Sequence, residues 1–542
     1  AAVQSGESAM IKTPILTLDR FQGRPETGCF SCRLVPHCES LRFLVSQRSM
    51  GNMAATVAFG QQLESYTFLG AVSPAGGILF STPPPLTEYA KFTIVGDRLN
   101  VVSPAPVEIV FEPEGLSPLL LAYGERHRRS SLPAPIFGWN SWDNFGASVC
   151  EEDILTNLDF IRNHPVFGKK LTHVIVDDGW ETGWGEWIPN GRFPNGMKAL
   201  ADRIHQAGFK AGIWLAPLVV EPDTRIYQHN SECLLRDLKG HPYLISHGNS
   251  RTFYALDVSV PKSQTFLREM FRRVREWGYD YVKLDFLFNQ AQCFENGDAF
   301  AADSSWSSNR HTAEMLRIAR EELGPDVHVL GCNYPFELGG DGVDEVRLTS
   351  DIGTFWENID FVYQSHAVRF GLNRRWFAID PDFTIVRVPH ATWTEGSVPF
   401  HIERPWGRNE EDIGWRKGPY WSEEEMKLAL TFVILSGGSV ILGDHLPQLN
   451  ANGLRYAEIA LQYGGGCPAR PLDLDGRRSL PCVFSNDQLL AFLNPFSTPL
   501  LLVVPEGFRV GKEIYTGTTL EGRELTLPPH TCSVYELDVH HS

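Results

Sequence analysis

The run Tyr281-Val282-Lys283-Leu284-Asp285-Phe286-Leu287-Phe288 is apolar except for one lysine and one aspartate two positions apart. A nearly continuous apolar run of this length reads as a strand buried on both faces. On a strand, Lys283 and Asp285 point to the same side. Charges facing one side of a buried strand are costly unless something uses them. A structural ion pair is the bland account. The same signal recurs, however, where other apolar runs end: Trp139-Asn140-Ser141-Trp142-Asp143, Asp177-Asp178-Gly179-Trp180, Trp214-Leu215-Ala216-Pro217, Cys332-Asn333, Arg347-Leu348-Thr349-Ser350-Asp351 and Asp380-Pro381-Asp382. Together these ends carry at least six carboxylates, two cations and several tryptophans, a density that packing alone does not account for.

Carboxylates beside aromatic platforms suit sugars. Aspartates accept hydrogen bonds from hydroxyls, and indole faces stack on the C–H face of a pyranose. Two opposed carboxylates then cleave a glycosidic bond, one as nucleophile and one as acid/base. Lys283 is expected to keep Asp285 ionised, while a second carboxylate with a raised pKa supplies the proton. Asp177 and Asp178 are adjacent, so their side chains diverge and can take two different hydroxyls. A site built to bond a hydroxyl rejects the wrong epimer strongly. Tyr334 and Phe336 follow the strand that ends in Cys332, and their bulk favours a free hydroxyl over an acetamido group on whatever part of the sugar they face.

No histidine stands at a strand end with metal-ligand spacing, no His-Glu-x-x-His occurs, and no phosphate-binding glycine loop is visible. Neither a catalytic metal nor a cofactor is expected. Cys29, Cys32, His37 and Cys38 form the one cluster to weigh for zinc. His37 and Cys38 are adjacent, unlike a usual second ligand pair, so a local disulfide or free thiols are preferred.

The elements that must position these groups follow from the texture of the chain. Residues Ile11 to about Glu114 read as short strands between Gly- and Pro-rich turns, as in a β-sandwich. A linker follows with Arg126, Arg128, Arg129, Pro133 and Pro135. From Pro135, strands and helices alternate. Strands are predicted over Ile136 to Trp142, Thr172 to Asp178, Lys210 to Pro217, Tyr281 to Phe288, Val327 to Cys332, Val343 to Ser350, Arg375 to Ile379 and Ser439 to Gly443. Helices are predicted over Glu151 to Arg162, Met197 to Gly208, Pro261 to Trp277, Arg310 to Leu323 and Ser422 to Leu435. This is an α/β chain built on a (β/α)8 TIM barrel, whose active site lies at the C-terminal ends of the strands. After about Leu454 short strands return. The expected domains are an N-terminal β-sandwich over 1–130, a catalytic barrel over 131–453 and a smaller C-terminal β-sandwich over 454–542.

The chain has 542 residues and a net charge of −17. With no basic block to neutralise phosphates, neither nucleic acid nor an anionic membrane surface is an expected partner. No apolar run approaches the ~20 residues of a spanning helix. The expected partner is a carbohydrate substrate, with a homo-oligomer left open. No signal peptide is visible, and the chain begins at Ala1. A soluble protein is expected, with cytoplasmic and secreted locations both open.

In these motifs and their order the chain resembles the α-galactosidases of glycoside hydrolase family 36, within the clan shared with family 27. The resemblance rests on Gly138-Trp139-Asn140-Ser141-Trp142, Val176-Asp177-Asp178-Gly179-Trp180, Gly212-Ile213-Trp214-Leu215-Ala216-Pro217, Tyr281-Val282-Lys283-Leu284-Asp285, Leu330-Gly331-Cys332, Arg347-Leu348-Thr349-Ser350-Asp351 and Asp380-Pro381-Asp382. It covers the barrel from about 135 to 446. It implies Asp285 as nucleophile and Asp351 as acid/base, with retention of configuration and no cofactor. It implies Asp177 and Asp178 as ligands of the axial 4-hydroxyl and the 6-hydroxyl, and Lys283 as a donor to a ring hydroxyl. Arg347 and Asp382 fall on the substrate side, Trp139 and Trp214 on the pocket walls, and Cys332 near the 2-hydroxyl. An α-N-acetylgalactosaminidase or a galactosyl-transferring transglycosidase of the same fold is the nearest alternative. An inactive sugar-binding protein is the alternative of another class; loss of either Asp285 or Asp351 would be its signature, and both are present.

Overall fold

The computed structural model describes residues 10–48, 55–86, 88–246, 252–288, 294, 297–393 and 421–538. Its centre is a parallel sheet that carries the barrel. Strands one to six are Phe137–Asn140, His173–Val176, Lys210–Leu215, Tyr281–Leu284, His328–Gly331 and Glu345–Arg347. Strand seven comes in two pieces, Ala378–Asp380 and Phe383–Thr384, and strand eight is Val440–Leu442. The first piece of strand seven pairs with strand six and the second with strand eight, which pairs in turn with strand one. The ring thus closes through a strand bent at Pro381-Asp382, where Asp382 has φ 76°. That left-handed value is uncommon for an aspartate and turns the chain from one neighbour to the other.

The strands are short and, beyond the first residues Phe137, Lys210 and His328, buried, which is why they read as apolar runs. The expected helices lie between them: Glu151–Asn163, Gly196–Gln206, Pro261–Trp277, Ser308–Leu323 and Glu423–Ser436. Pro261 opens its helix, where a missing N–H costs nothing, and Gly278 closes it with φ 86°. Ser422 and Glu425 form a capping box on Glu423–Ser436. Two further helices, Leu116–Arg126 and Ala451–Tyr463, lie in stretches read as linker and as β. The insertion after strand three holds a small antiparallel sheet of Val219–Val220, Thr252–Ala255 and Leu244–Ser246. Residues 394–420, the long connection after strand seven, lie outside the described residues.

A six-stranded and a five-stranded antiparallel sheet precede the barrel. Ile15, Phe30, Phe43, Leu69, Ile78 and Phe80 form the core they share. The alternate residues Leu44, Phe68, Val72 and Leu79 pack on the other side, with Leu116, Leu120 and Tyr123 of Leu116–Arg126. The five-stranded sheet is therefore covered on both faces, and Phe68–Ser73 and Gly76–Ser81 have no exposed residue. Gly77 permits this contact, since a Cβ there would lie 2.7 Å from the carbonyl carbon of Gly115. Beyond the barrel, a five-stranded and a two-stranded sheet complete the chain. Domains at 1–130, 131–453 and 454–542 remain our proposal, and Ala451–Tyr463 straddles the second boundary.

Cys29, Cys32 and Cys38 are free thiols. Cys29 and Cys32 lie on the strand Cys29–Pro36 three positions apart, so they face opposite sides; Cys29 is exposed and Cys32 buried. Among the described residues, no three His, Cys, Asp or Glu side chains gather as a metal site requires. Nor is any helix there long and apolar enough to cross a membrane.

Candidate active site

The polar strand ends meet at one end of the barrel. Strand two ends in Asp177 and Asp178, both nearly closed to solvent. Asp177 Oδ2 accepts from Asn140 Nδ2 at 2.8 Å and from Lys283 Nζ at 2.9 Å. Its backbone N–H donates to Ser141 Oγ at 3.0 Å. Burial raises the Asp177 pKa, and Lys283 opposes that rise. For Lys283, burial works against the charge, but Asp177 more than compensates and the ammonium is held. The lysine's ion pair thus goes across the barrel to strand two. Asp285, two positions along its own strand, is instead held by the indole N–H of Trp214 at 3.1 Å and by the backbone N–H of Phe286 at 2.7 Å.

The tryptophans stand behind the carboxylates. Trp139 and Trp214 were expected as pocket walls, yet they are 0% and 2% exposed. Trp139 Nε1 donates to the Asp444 carbonyl at 2.8 Å. Trp184, which the sequence reading did not single out, donates through Nε1 to Asp178 Oδ1 at 3.0 Å. It packs on Trp214 and Phe286 with centroids 5.5 and 4.9 Å apart. The signal available was the aromatic density of Gly179 to Trp187. In the structure Trp184 and Trp214 orient acids through N–H bonds, and Phe286 is the half-buried ring of the group.

On the opposite side, Arg347 gathers three carboxylates. Its Nε donates to Asp380 Oδ2 at 3.0 Å, Nη1 to Asp351 Oδ1 at 3.1 Å, and Nη2 lies 2.6 Å from Asp382 Oδ1. Asp351 keeps half of its side-chain surface exposed, whereas Arg347 and Asp382 are almost fully buried. Burial pushes the Asp382 carboxyl up to about 7; Arg347 resists this, while Asp351 and Asp380 add to it. Asp382 also accepts from the Ile352 backbone N–H at 2.6 Å. It is therefore placed beneath the loop that carries Asp351, one layer below the mouth. Asp143 is likewise withdrawn: with Asp444 it pairs with buried Arg387.

Cys332 is buried, and its thiol pKa is raised by burial and then by Asp285. Tyr334 and Phe336, expected to restrict the 2-position, are turned into the core. The Tyr334 hydroxyl donates to the Gly339 carbonyl at 2.9 Å, and Phe336 stacks on Phe377. Asn333 is the one residue of Cys332–Leu338 that is not buried. Phe286, Asn333 and Asp382, which follow strands four, five and seven, have φ of 58°, 49° and 76°. Backbone strain of this kind collects at functional sites, and here it rings one end of the barrel.

Residues 127–317 match the sequence profile of the Melibiase family. An alpha-galactosidase A of Cellvibrio japonicus is 38% identical over 230 residues, 41% of this chain and 45% of that one. An A type blood alpha-D-galactosamine galactosaminidase of Flavonifractor plautii is 28% identical over 252 residues, 44% of this chain and 20% of that one. The chain thus spans less than half the length of either relative. In fold, it resembles the alpha-galactosidase TtGalA of Thermus thermophilus, solved with p-nitrophenyl alpha-D-galactopyranoside. The TM-score is 0.65 at 22% identity, over 84% of this chain and 94% of that one. The matched stretch holds Asp177, Asp178, Lys283 and Asp285 with the first four barrel strands, so the similarity to the Melibiase family falls on the half of the barrel that carries these groups.

Proposed function

We propose that the protein is a retaining exo-α-galactosidase that removes terminal α-linked galactose by double displacement. The observation that carries this reading is a contrast between two carboxylates at strand ends: Asp285 is fixed by Trp214 and the Phe286 N–H, while Asp351 is half exposed on Arg347. A nucleophile must be held in place, and an acid/base must meet the leaving group and then water. Asp285 is the nucleophile and Asp351 the acid/base. In the first step the Asp285 carboxylate attacks the anomeric carbon while Asp351 protonates the departing oxygen. In the second, Asp351 takes a proton from water, which releases the sugar from Asp285. Retention requires the two carboxyl groups about 5–5.5 Å apart.

Asp177 and Asp178 bind the 4- and 6-hydroxyls. Each keeps a fixed orientation, from Lys283 and Asn140 in one case and Trp184 in the other. Lys283 and Arg347 offer cationic donors at the floor of the site, and no cofactor takes part. Placement in family 36, within the clan it shares with family 27, is part of this proposal and rests on the resemblance of the barrel motifs. A second reading, an α-N-acetylgalactosaminidase, is favoured by the burial of Tyr334 and Phe336, which removes the bulk expected against an acetamido group. The relative named as an alpha-D-galactosamine galactosaminidase supports a substituted 2-position, though with a free amine.

The test is a panel of nitrophenyl α-glycosides (galactoside, N-acetylgalactosaminide, glucoside and β-L-arabinopyranoside) run on wild type and Asp285→Ala. The expected result is turnover of the galactoside, its loss in Asp285→Ala, and recovery with azide as a β-galactosyl azide. Near-wild-type activity of the variant without azide would refute the assignment. Preference for the acetamido sugar would select the second reading.

A further inference from the structure

The N-terminal sandwich reaches the mouth of the barrel through Arg48, which is 2% exposed. Arg48 Nε donates to Glu337 Oε1 at 2.6 Å, and Nη2 donates to Asn309 Oδ1 at 3.2 Å. The Arg48 carbonyl accepts from the backbone N–H of Phe336 at 2.7 Å. Its guanidinium lies 4.2 Å from the ring centre of Tyr89 and 5.2 Å from that of Phe288. A second strand of bonds runs alongside: Asn309 Nδ2 donates to the Leu86 carbonyl at 3.1 Å, and the Leu86 N–H to the Glu337 carbonyl at 2.8 Å. One residue before Arg48, the Gln47 carbonyl accepts from Arg369 Nη2 at 3.5 Å. Arg369 also donates to the Leu348 carbonyl at 3.0 Å and lies 4.6 Å over the ring of Phe336.

These bonds join the sandwich to three loops that carry site residues. Phe288 follows strand four, Phe336 and Glu337 follow strand five, and Leu348 follows strand six, three residues before Asp351. In the first part of the loop after strand five, Cys332–Leu338, Asn333 alone is not buried, and its backbone is in the left-handed region at φ 49°. An asparagine tolerates that region at some cost, and the surroundings must hold it there. The Arg48–Glu337 pair and the Phe336 N–H bond anchor the loop three and four residues further on. A buried arginine–carboxylate pair is poor evidence for stability, because apolar residues of equal volume do as well; what it adds is one defined arrangement.

We propose that Arg48 is a positioning residue for the active site: through Phe336 and Glu337 it fixes where Asn333 stands, and so sets how the pocket treats the substituent at the 2-position of the sugar. The inference rests on the galactose-configured reading given above. It makes the N-terminal sandwich part of the specificity apparatus, with Asn333 in the place where Tyr334 and Phe336 were expected.

The experiment uses Arg48→Ala, Arg48→Lys and Glu337→Gln in the full chain. Hydrogen exchange of the 330–338 segment is measured, together with kcat/KM on matched nitrophenyl α-galactoside and α-N-acetylgalactosaminide. Arg48→Ala is expected to speed exchange across 330–338 by about tenfold or more and to change the ratio of the two kcat/KM values by about fivefold or more. Arg48→Lys should recover part of both, since it keeps the charge facing Glu337 but lacks the fork that also reaches Asn309. If Arg48→Ala does not fold, Glu337→Gln carries the same test while preserving side-chain shape. Unchanged exchange, or equal losses on both substrates, would overturn the proposal. Wild type inactive on both sugars would overturn the functional reading and the specificity step with it, a result visible before any variant is compared.

Discussion

Trp214 shows at the scale of one residue how the site is held. Its indole is closed to solvent, and its N–H is directed at Asp285 Oδ2. A hydrogen bond to a charged group contributes about 1.5–3 kcal/mol. If Asp285 is the nucleophile as proposed, the value of the bond lies in fixing the carboxylate in line for attack, where small misplacements are costly. Trp214→Phe keeps the ring and removes the bond. It is expected to lower kcat roughly 10- to 100-fold, with KM changed much less, as read by steady-state kinetics on the nitrophenyl galactoside. A kcat within twofold of wild type would show that the Phe286 N–H alone suffices. Lys283 teaches the complementary point. Its charge is spent on Asp177, so it orients the acid proposed to bind the sugar, and Asp285 depends on the tryptophan and a backbone amide.

Among the elements, the loops at the mouth are fixed by buried ion pairs. Arg387 follows strand seven and pairs with Asp143, after strand one, and Asp444, after strand eight. Its Nη2 also donates to the Asp143 carbonyl at 3.3 Å, while Asp444 Oδ2 accepts from the Val386 N–H at 2.7 Å. Three consecutive strands of the ring are thereby locked across the bend at Pro381-Asp382. Burial pushes the Asp444 carboxyl up to about 6 even with Arg387 beside it. Removing the arginine leaves two buried carboxylates without their cation. Arg387→Met should therefore destabilise the fold by about 3–5 kcal/mol, measured as a shift of the urea midpoint with unchanged slope. A loss below about 1 kcal/mol would mean that the pocket collapses around the methionine with both acids protonated.

For the whole molecule, acid stability depends on histidines buried without charge. His173 lies in strand two, and burial lowers its pKa to about 3, with His328 and Lys210 adding to the effect. His366 stacks on Phe432 in the layer facing the C-terminal sheets, and burial lowers it to about 3 as well. An unfolded histidine titrates near ~6.5. Below that value the unfolded chain binds protons that the folded one does not, so stability is complete above ~6.5 and falls as pH drops toward the folded values. The expected slope is up to ~1.4 kcal/mol per pH unit for each histidine. The raised carboxyls of Asp382 and Asp444 take up protons on folding and oppose this slope over the same range, so the histidine contribution is read as a difference between wild type and His366→Leu in urea melts at pH 8, 6.5 and 5. The variant should gain stability relative to wild type between pH 6.5 and 5, and an unchanged difference would place the acid sensitivity elsewhere.

The alternation of strands and helices was legible in the sequence because both signals are local. Apolar runs of four to six residues mark the strands, and a proline start or a serine–glutamate cap marks the helices. Polar residues interrupting those runs exposed the candidate carboxylates for the same reason. The helix Leu116–Arg126 was hidden by Pro118 and Gly124. Pro118 is tolerated in the first turn, and a Cβ on Gly124 would lie 2.1 Å from the Gly371 carbonyl oxygen, so both residues answer to tertiary packing. Partner choice was decided by the fold alone. Strand periodicity places Lys283 and Asp285 on one face, but only the neighbouring strands bring Asp177, 106 residues away, within 2.9 Å of the lysine. The same holds for the burial of Trp139, Tyr334 and Asp382 and for the seat of Arg48 against Glu337, 289 residues along the chain. A side chain's face is set by its own backbone, whereas its bonding partner is set by which distant segments the closed barrel and its flanking sheets bring against it.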